Sequence, residues 1–130
     1  MTVPVPITAL YAALFAFLFV ILMVAVITLR RSFCISLGDG GNRDLQQAIR
    51  AHGNAIESVP IFLLMLATLE LNQGLATVLH SFGAAFLLVR IMHAWGLYTS
   101  SGASIARVAG TGGTITLLVA LAIANLLRIF

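Results

Sequence analysis

The residues best suited to chemistry in this chain form one polar stripe on a predicted helix. At about 100° per residue, five polar side chains fall within a stripe about 80° wide, and these are Arg43, Gln47, Arg50, Asn54 and Glu57. Planar guanidinium groups bind carboxylates through paired hydrogen bonds, and a carboxylate such as that of Glu57 suits an amine. The stripe therefore predicts a small, polar, anionic ligand that also carries an amine.

Two more arginines and a histidine are expected at the same side of the molecule. On a predicted third helix, Arg90 and His93 lie about 60° apart and share a face. If a fourth helix starts near Ser104, Arg107 lies in its first turn, where the helix dipole is positive. Four arginines from three helices would then meet at one side of the molecule, and these are Arg43, Arg50, Arg90 and Arg107.

Each of these residues also has a simpler interpretation. Arg43 and Arg50 are compatible with solvated cytoplasmic positions, and His93 is compatible with a satisfied core histidine. Arg90 and Glu57 are compatible with a buried ion pair that fixes helix register. Ionisable groups inside a membrane usually mark function. The convergence of all these residues on one side favours a binding site over the separate structural interpretations.

The elements that must position these residues are membrane-spanning helices. Of the 130 residues, 61% are hydrophobic and 8% are charged, whereas a soluble domain carries about 25% charged residues. A chain this short has too much surface to hide so much apolar material in water. Its net charge of +3 comes from scattered arginines, so no nucleic acid partner is expected. The single cysteine supplies neither an internal disulfide nor metal-ligand spacing, so no metal site is expected.

Four apolar segments predict a single-domain, all-α membrane protein with four transmembrane helices in an up-down bundle. A span needs about 20 apolar residues, and the approximate spans are 7–29, 55–73, 75–98 and 104–127. Polar breaks separate them at Gly38-Asp39-Gly40-Gly41, at Asn72-Gln73-Gly74 and at Thr99-Ser100-Ser101-Gly102. Asn42 is the expected N-cap of the second helix.

The distribution of arginine predicts the orientation in the membrane. Arginines cluster in the first loop with its adjoining helix ends, and one more lies in the third loop; these are Arg30, Arg31, Arg43, Arg50 and Arg107. The second loop has none, and the C-terminus has only Arg128. Because positive residues favour the cytoplasmic side, we expect an integral membrane protein with both termini external and the site facing the cytoplasm.

The segment Arg50-Ala51-His52-Gly53-Asn54-Ala55-Ile56-Glu57 strongly resembles the signature of the MAPEG family. These are the membrane-associated proteins of eicosanoid and glutathione metabolism, and their second helix reads Arg-Ala-His-x-Asn-x-x-Glu. Arg90-x-x-His93, Tyr98 and Arg107 are also similar to the family pattern. The resemblance covers essentially the whole chain. The chain looks most like the bacterial branch of the family, which resembles microsomal glutathione transferase, and this implies a location in the bacterial inner (plasma) membrane.

This resemblance implies a homotrimer that binds glutathione between neighbouring subunits, near the cytoplasmic side. It implies that the tripeptide is held by Arg50, Asn54, Glu57, Arg90, His93, Tyr98 and Arg107, and the helical stripe adds Arg43 to this set. It also implies that Arg107 stabilises the glutathione thiolate. Two positions depart from the prostaglandin synthase of the family: Tyr98 follows His93 by five residues instead of four, and Val108 replaces a serine. Prostaglandin isomerase chemistry is therefore not expected.

The leading prediction is an enzyme in which glutathione thiolate attacks, or reduces, a lipophilic electrophile that arrives through the lipid bilayer. The alternative is a non-catalytic membrane protein that binds an anionic metabolite or a lipid headgroup. A four-helix proton-coupled exporter ranks lower, because that class needs a membrane-buried acid in its first helix and none occurs between Thr2 and Leu29.

Overall fold

A computed structural model describes residues 4–99 and 104–129, and within these ranges the chain forms four long helices. They are α1 (Pro6–Phe33), α2 (Arg43–Leu71), α3 (Ala76–Thr99) and α4 (Ile105–Ile129). Each is long and apolar enough to cross a membrane. The prediction of an all-α protein with four transmembrane helices is confirmed. Both α1 and α2 extend beyond their predicted apolar spans, because their polar ends continue the same helix.

The helix ends follow local sequence signals. The Asn42 side chain accepts a hydrogen bond from the Leu45 amide at 2.9 Å, which confirms Asn42 as the N-cap of α2. At the second break the chain turns through Gln73, whose φ is +58°. Residues 100–103 of the third predicted break lie outside the described residues. At its end, the Ser104 hydroxyl accepts from the Arg107 amide at 3.3 Å and caps α4.

Consecutive helices run antiparallel, as the up-down prediction requires. The start of α1 contacts the end of α2 at Ile7 and Glu70. Leu69 near the end of α2 and Leu79 near the start of α3 lie in one buried cluster. On α4, Gly110 lies against His93 and the later Gly113 lies against the earlier Val89 of α3. Helices α2 and α3 pack against each other at the centre, and within the described residues α1 and α4 each pack on both of them but not on one another.

A cluster of three phenylalanines forms the centre of the bundle. The rings of Phe62 and Phe86 are stacked with centroids 3.9 Å apart, and Phe15 meets both rings edge-on. All three side chains are fully buried. Aromatic pairs in these geometries add to the stabilisation from buried area, so this cluster sets the rotation of α1, α2 and α3 about their axes.

Small residues bring the same three helices together nearer the first loop. Ala51 and Ala55 of α2 pack there with Leu22 of α1 and with Ala94 and Leu97 of α3. Small side chains let helix backbones approach closely in a membrane. This buried alanine face leaves the polar stripe of α2 on a different side of the helix, where α4 meets it.

Polar contacts join the helices at the end of the bundle where α1 begins and α2 ends. The carboxylate of Glu70 accepts hydrogen bonds from the amides of Ile7 and Thr8, both at 2.8 Å, and from the Thr8 hydroxyl at 2.7 Å. A side chain of α2 therefore supplies the missing cap of α1. Nearby, the buried Tyr11 hydroxyl donates to the His80 carbonyl at 3.0 Å. These residues tie helices together instead of lining the groove described next.

Candidate polar groove

Three adjoining cavities line the side of the bundle where α2, α3 and α4 meet, and we call them together the polar groove. The wide cavity, of about 550 Å³, is lined by Arg50, Asn54, His93, Leu97, Arg107, Val108, Thr111, Gly112 and Ile115. The inner cavity, of about 200 Å³, shares Asn54, His93 and Thr111 with it and adds Glu57, Arg90 and Thr114. The end cavity, of about 120 Å³, adds Arg43, Gln46 and Gln47.

Seven of the eight site residues predicted from the sequence line this groove. The stripe of α2 supplies Arg43, Arg50, Asn54 and Glu57, α3 supplies Arg90 and His93, and α4 supplies Arg107. The stripe lies along the groove because α2 is a regular helix whose other face is buried at Ala51 and Ala55. The expected convergence of four arginines from three helices is therefore present.

The Arg90 guanidinium lies deep in the groove with an incomplete set of partners. Its side chain is only 3% exposed, and its Nη1 donates to the Thr114 hydroxyl at 3.3 Å. Its Nε and Nη2 are buried and have no hydrogen-bond partner among the described residues. The ion pair with Glu57 that the sequence left open is not formed, and Glu57 is exposed. Buried polar groups normally have partners, so this site lacks an acceptor.

His93 is the second groove residue with an unused polar atom. The ring is 6% exposed, its Nδ1 lies 3.4 Å from the Thr111 hydroxyl, and its Nε2 has no partner among the described residues. Gly110 lets α4 approach this histidine, since a Cβ there would lie 2.6 Å from the Cβ of His93. A simple core histidine would have both nitrogens satisfied, whereas the Nε2 of His93 is left for a ligand in the groove.

Arg107 lies in the first turn of α4, as the sequence predicted for a helix starting near Ser104. It is half-buried and lines both the wide and the end cavities. The first turn of a helix carries a partial positive charge, which adds to the charge of the guanidinium. Val108 beside it is 64% exposed and gives the wide cavity an apolar wall. This end of the groove therefore combines an anion site with an apolar surface.

Tyr98 does not line any of the three cavities. Because α3 stays helical through Thr99, a residue five positions after His93 lies about 140° around the helix from it. The position four residues after His93 is occupied by Leu97, which lines the wide cavity instead. Tyr98 remains 39% exposed at the end of α3.

Two groove threonines were not anticipated from the sequence. The segment Gly110-Thr111-Gly112-Gly113-Thr114 indicates close helix packing, and Gly110 and Gly113 do contact α3 closely. The same segment places the Thr111 and Thr114 hydroxyls beside His93 and Arg90. Their spacing could have indicated that they line the groove, because residues four and seven positions after Arg107 share its helix face.

The arrangement suits an anionic organic ligand better than a metal ion. Four guanidinium groups and one carboxylate line the groove, and the wide cavity falls within the size range of small-molecule sites. Within the described part of the chain, no three metal-ligating side chains come together. The groove offers guanidinium groups, whose geometry suits carboxylates, and the carboxylate of Glu57, whose charge suits an amine.

Known proteins are similar to this chain over most of its length. The family model described as "MAPEG family" matches residues 8–127. The inner membrane protein YecN of Escherichia coli strain K12 is 38% identical over 92 residues, covering 71% of this chain and 70% of that protein. The protein sll1147 of Synechocystis is 31% identical over 96 residues, covering 72% and 68%. With a match that spans nearly the whole bundle, the chain belongs to the MAPEG family.

Proposed function

We propose that this chain is an integral membrane enzyme that uses glutathione to conjugate or reduce lipophilic electrophiles. The observation that carries the proposal is the wide cavity, where Arg50, Asn54, His93 and Arg107 from three helices line one space of about 550 Å³. Glutathione has two carboxylates, one α-amine and one thiol. The groove offers guanidinium groups for the carboxylates, Glu57 for the amine and Arg107 for the thiolate.

The assigned chemistry starts with loss of the thiol proton to solvent. Only the thiolate is nucleophilic, and the Arg107 guanidinium together with the N-terminus of α4 would stabilise its charge. Exclusion of water strengthens both interactions. With an alkyl halide, the sulfur–carbon bond forms as the carbon–halogen bond breaks and halide leaves. With an aryl halide, the thiolate first adds to the ring carbon, and halide leaves in a second step that restores the aromatic ring. With a lipid hydroperoxide, the thiolate takes the terminal hydroxyl as the oxygen–oxygen bond breaks, which forms a sulfenic acid, and the leaving alkoxide takes a proton from solvent to become the alcohol. A second glutathione then yields the disulfide and water.

The apolar part of the same cavity supports a lipophilic second substrate. Val108 and Ile115 are 64% and 58% exposed, and both line the wide cavity beside Arg107. In a transmembrane helix such exposed apolar side chains face lipid or a neighbouring subunit. A substrate dissolved in the bilayer would therefore reach the thiolate laterally, without crossing the aqueous phase.

The assembly and the location belong to the same proposal. We infer a homotrimer in the bacterial inner membrane, with external termini and the groove facing the cytoplasm. The inner membrane location is supported by the name of the relative YecN, and the orientation by the arginine distribution. The trimer is supported by the open side of the groove, since a neighbouring subunit would shield Glu57 and Arg50 from lipid.

Thiolate formation tests the enzyme against the non-catalytic alternative. The purified protein in detergent is mixed with glutathione, and thiolate absorbance is followed in the ultraviolet at neutral pH. Turnover is then measured with a generic aryl halide and with a lipid hydroperoxide. We expect a thiolate signal and one of the two turnovers. Binding of glutathione with neither signal would instead favour a protein that only binds an anionic metabolite or lipid headgroup.

A further inference from the structure

The three nitrogens of the Arg90 guanidinium are not equivalent in this structure. Nη1 donates to the Thr114 hydroxyl, whereas Nε and Nη2 have no partner among the described residues. In a planar guanidinium, the N–H groups of Nε and Nη2 lie along one edge and point in the same direction. That edge is the two-donor fork that matches the two oxygens of a carboxylate. We call it the Arg90 fork.

Thr114 is bonded in a way that determines which edge of Arg90 stays open. Its hydroxyl proton is donated to the Gly110 carbonyl at 2.7 Å, so its oxygen can only accept from Nη1. Thr114 is itself buried, with 8% of its surface exposed. Thr114 therefore fixes one side of the guanidinium against the backbone of α4 and leaves the Arg90 fork unoccupied.

No carboxylate among the described residues contacts the Arg90 fork directly. Glu57 lines the same inner cavity but is exposed and forms no ion pair with Arg90. A buried charge without a partner destabilises a protein strongly. An anion provided by the ligand would remove that cost, and only an acceptor with two oxygens in one plane satisfies both donors of the fork.

We propose that Thr114 is a positioning residue that reserves the Arg90 fork for one carboxylate of the thiol substrate. This inference rests on the proposed glutathione site and deepens it. Thr114 touches no reacting atom, and its effect passes through the orientation of Arg90. The residue thus contributes to selectivity for a substrate with a carboxylate at the inner cavity, separately from thiolate stabilisation at Arg107.

The test compares two substitutions at one position with three ligands. Thr114→Val keeps the shape and removes the hydroxyl, and Thr114→Ser keeps the hydroxyl. The ligands are glutathione and its two monoamides, in each of which one carboxylate is replaced by a carboxamide. Affinities are measured for the full-length protein in detergent. In parallel, the Nε–H signal of Arg90 is followed by NMR in protein labelled at arginine with nitrogen-15, and it is assigned by its loss in Arg90→Lys.

We expect Thr114→Val to weaken glutathione binding about tenfold and Thr114→Ser to restore it. One monoamide should bind the wild type and Thr114→Val equally, because it lacks the carboxylate that the fork holds. Glutathione should shift the Arg90 signal in the wild type and in Thr114→Ser.

Equal weakening of glutathione and both monoamides by Thr114→Val would overturn the inference, because it indicates a packing role. Glutathione binding that leaves the Arg90 signal unmoved would also overturn it. So would an Arg90 signal that responds to Glu57→Gln instead, because Glu57 would then be the partner of the fork. All three results leave the proposed function intact. Absence of any glutathione binding to the wild type would remove the proposed function and this inference together.

Discussion

Unpartnered polar atoms are the strongest indication of function at the scale of single residues. Arg90 and His93 are at least nine-tenths buried, and between them they leave three nitrogens without a partner among the described residues. A core residue with a purely structural role would have found acceptors during folding. The bundle instead keeps these donors available beside a cavity, as expected for a preorganised anion site.

Arg107 should affect catalysis more than binding. In the proposed mechanism its guanidinium stabilises the thiolate charge, which is a small part of ground-state affinity but most of the activation of the nucleophile. Arg107→Ala should therefore lower turnover by about 10²–10³-fold while reducing glutathione affinity only modestly. The pH–rate profile is the decisive measurement, because without Arg107 the thiol should need a higher pH to ionise.

Arg107→Lys is the matched control for charge. It should rescue turnover only in part, because an ammonium is a point charge without the planar fork of guanidinium. An unchanged rate and an unchanged apparent thiol pKa in Arg107→Ala would exclude this residue from the mechanism. That result would shift the interpretation to the non-catalytic alternative.

At the scale of elements, glycines set the distance between α3 and α4. A Cβ at Gly110 would lie 2.6 Å from the Cβ of His93, and one at Gly113 would lie 2.9 Å from Val89. Gly112 is different, because a Cβ there meets no atom within 4 Å. Two of these glycines therefore permit close packing, and the third faces open space in the wide cavity.

Gly110→Ala should consequently destabilise the bundle, whereas Gly112→Ala should not. The first substitution forces α4 away from α3 and costs about 1–3 kcal/mol of unfolding free energy. The second replaces a helical glycine by the best helix former and should be neutral or stabilising. Thermal unfolding in detergent measures both variants. Equal stability of Gly110→Ala and Gly112→Ala would contradict the packing assigned to Gly110.

The cap that α2 provides for α1 predicts a second stability effect. Glu70→Ala removes three acceptor contacts at the N-terminus of α1 and should cost about 1–3 kcal/mol. Thr8→Val removes one of these hydrogen bonds while keeping both amide contacts, so its effect should be smaller. Both are compared with the wild type by unfolding in detergent. A larger loss in Thr8→Val than in Glu70→Ala would show that the carboxylate is not the main cap.

At the scale of the whole molecule, the exposed Cys34 reports orientation without any mutation. It follows α1 directly, in the first loop. If that loop is cytoplasmic, a membrane-impermeant thiol reagent should label Cys34 in inverted membrane vesicles but not in intact cells. In the control variant Cys34→Ser/Asn72→Cys the reporter is in the second loop, and the pattern should reverse. Labelling of Cys34 from outside intact cells would overturn the proposed topology.

The oligomeric state can be tested by measuring the mass of the assembly. The polar groove is open along one side of a single chain, and the exposed Glu57 and Arg50 would face lipid there unless another subunit covers them. We expect a detergent-corrected mass equal to three chains. The groove should become less accessible in the assembly, so a Glu57→Cys thiol should react more slowly in the trimer than in dissociated protein. A mass of one or two chains would contradict the trimer.

Much of this architecture could be predicted from the sequence, because the determinants are local. A membrane span requires about 20 apolar residues with internally satisfied backbone groups, so composition alone predicted four helices. The N-cap at Asn42 depends on residues within one turn. The polar stripe of α2 depends only on helical periodicity, which is why Arg43 through Glu57 were found on one face.

Only the tertiary structure decided which groups meet between helices. Whether Arg90 contacts Glu57 or Thr114 depends on how far α4 approaches α3, and close contacts at Gly110 and Gly113 set that distance. The same rotation of α3, held by the phenylalanine cluster, directs Leu97 and not Tyr98 into the groove. These outcomes depend on non-local packing, in which small changes of helix rotation or separation exchange one partner for another. No spacing within a single helix contains that information.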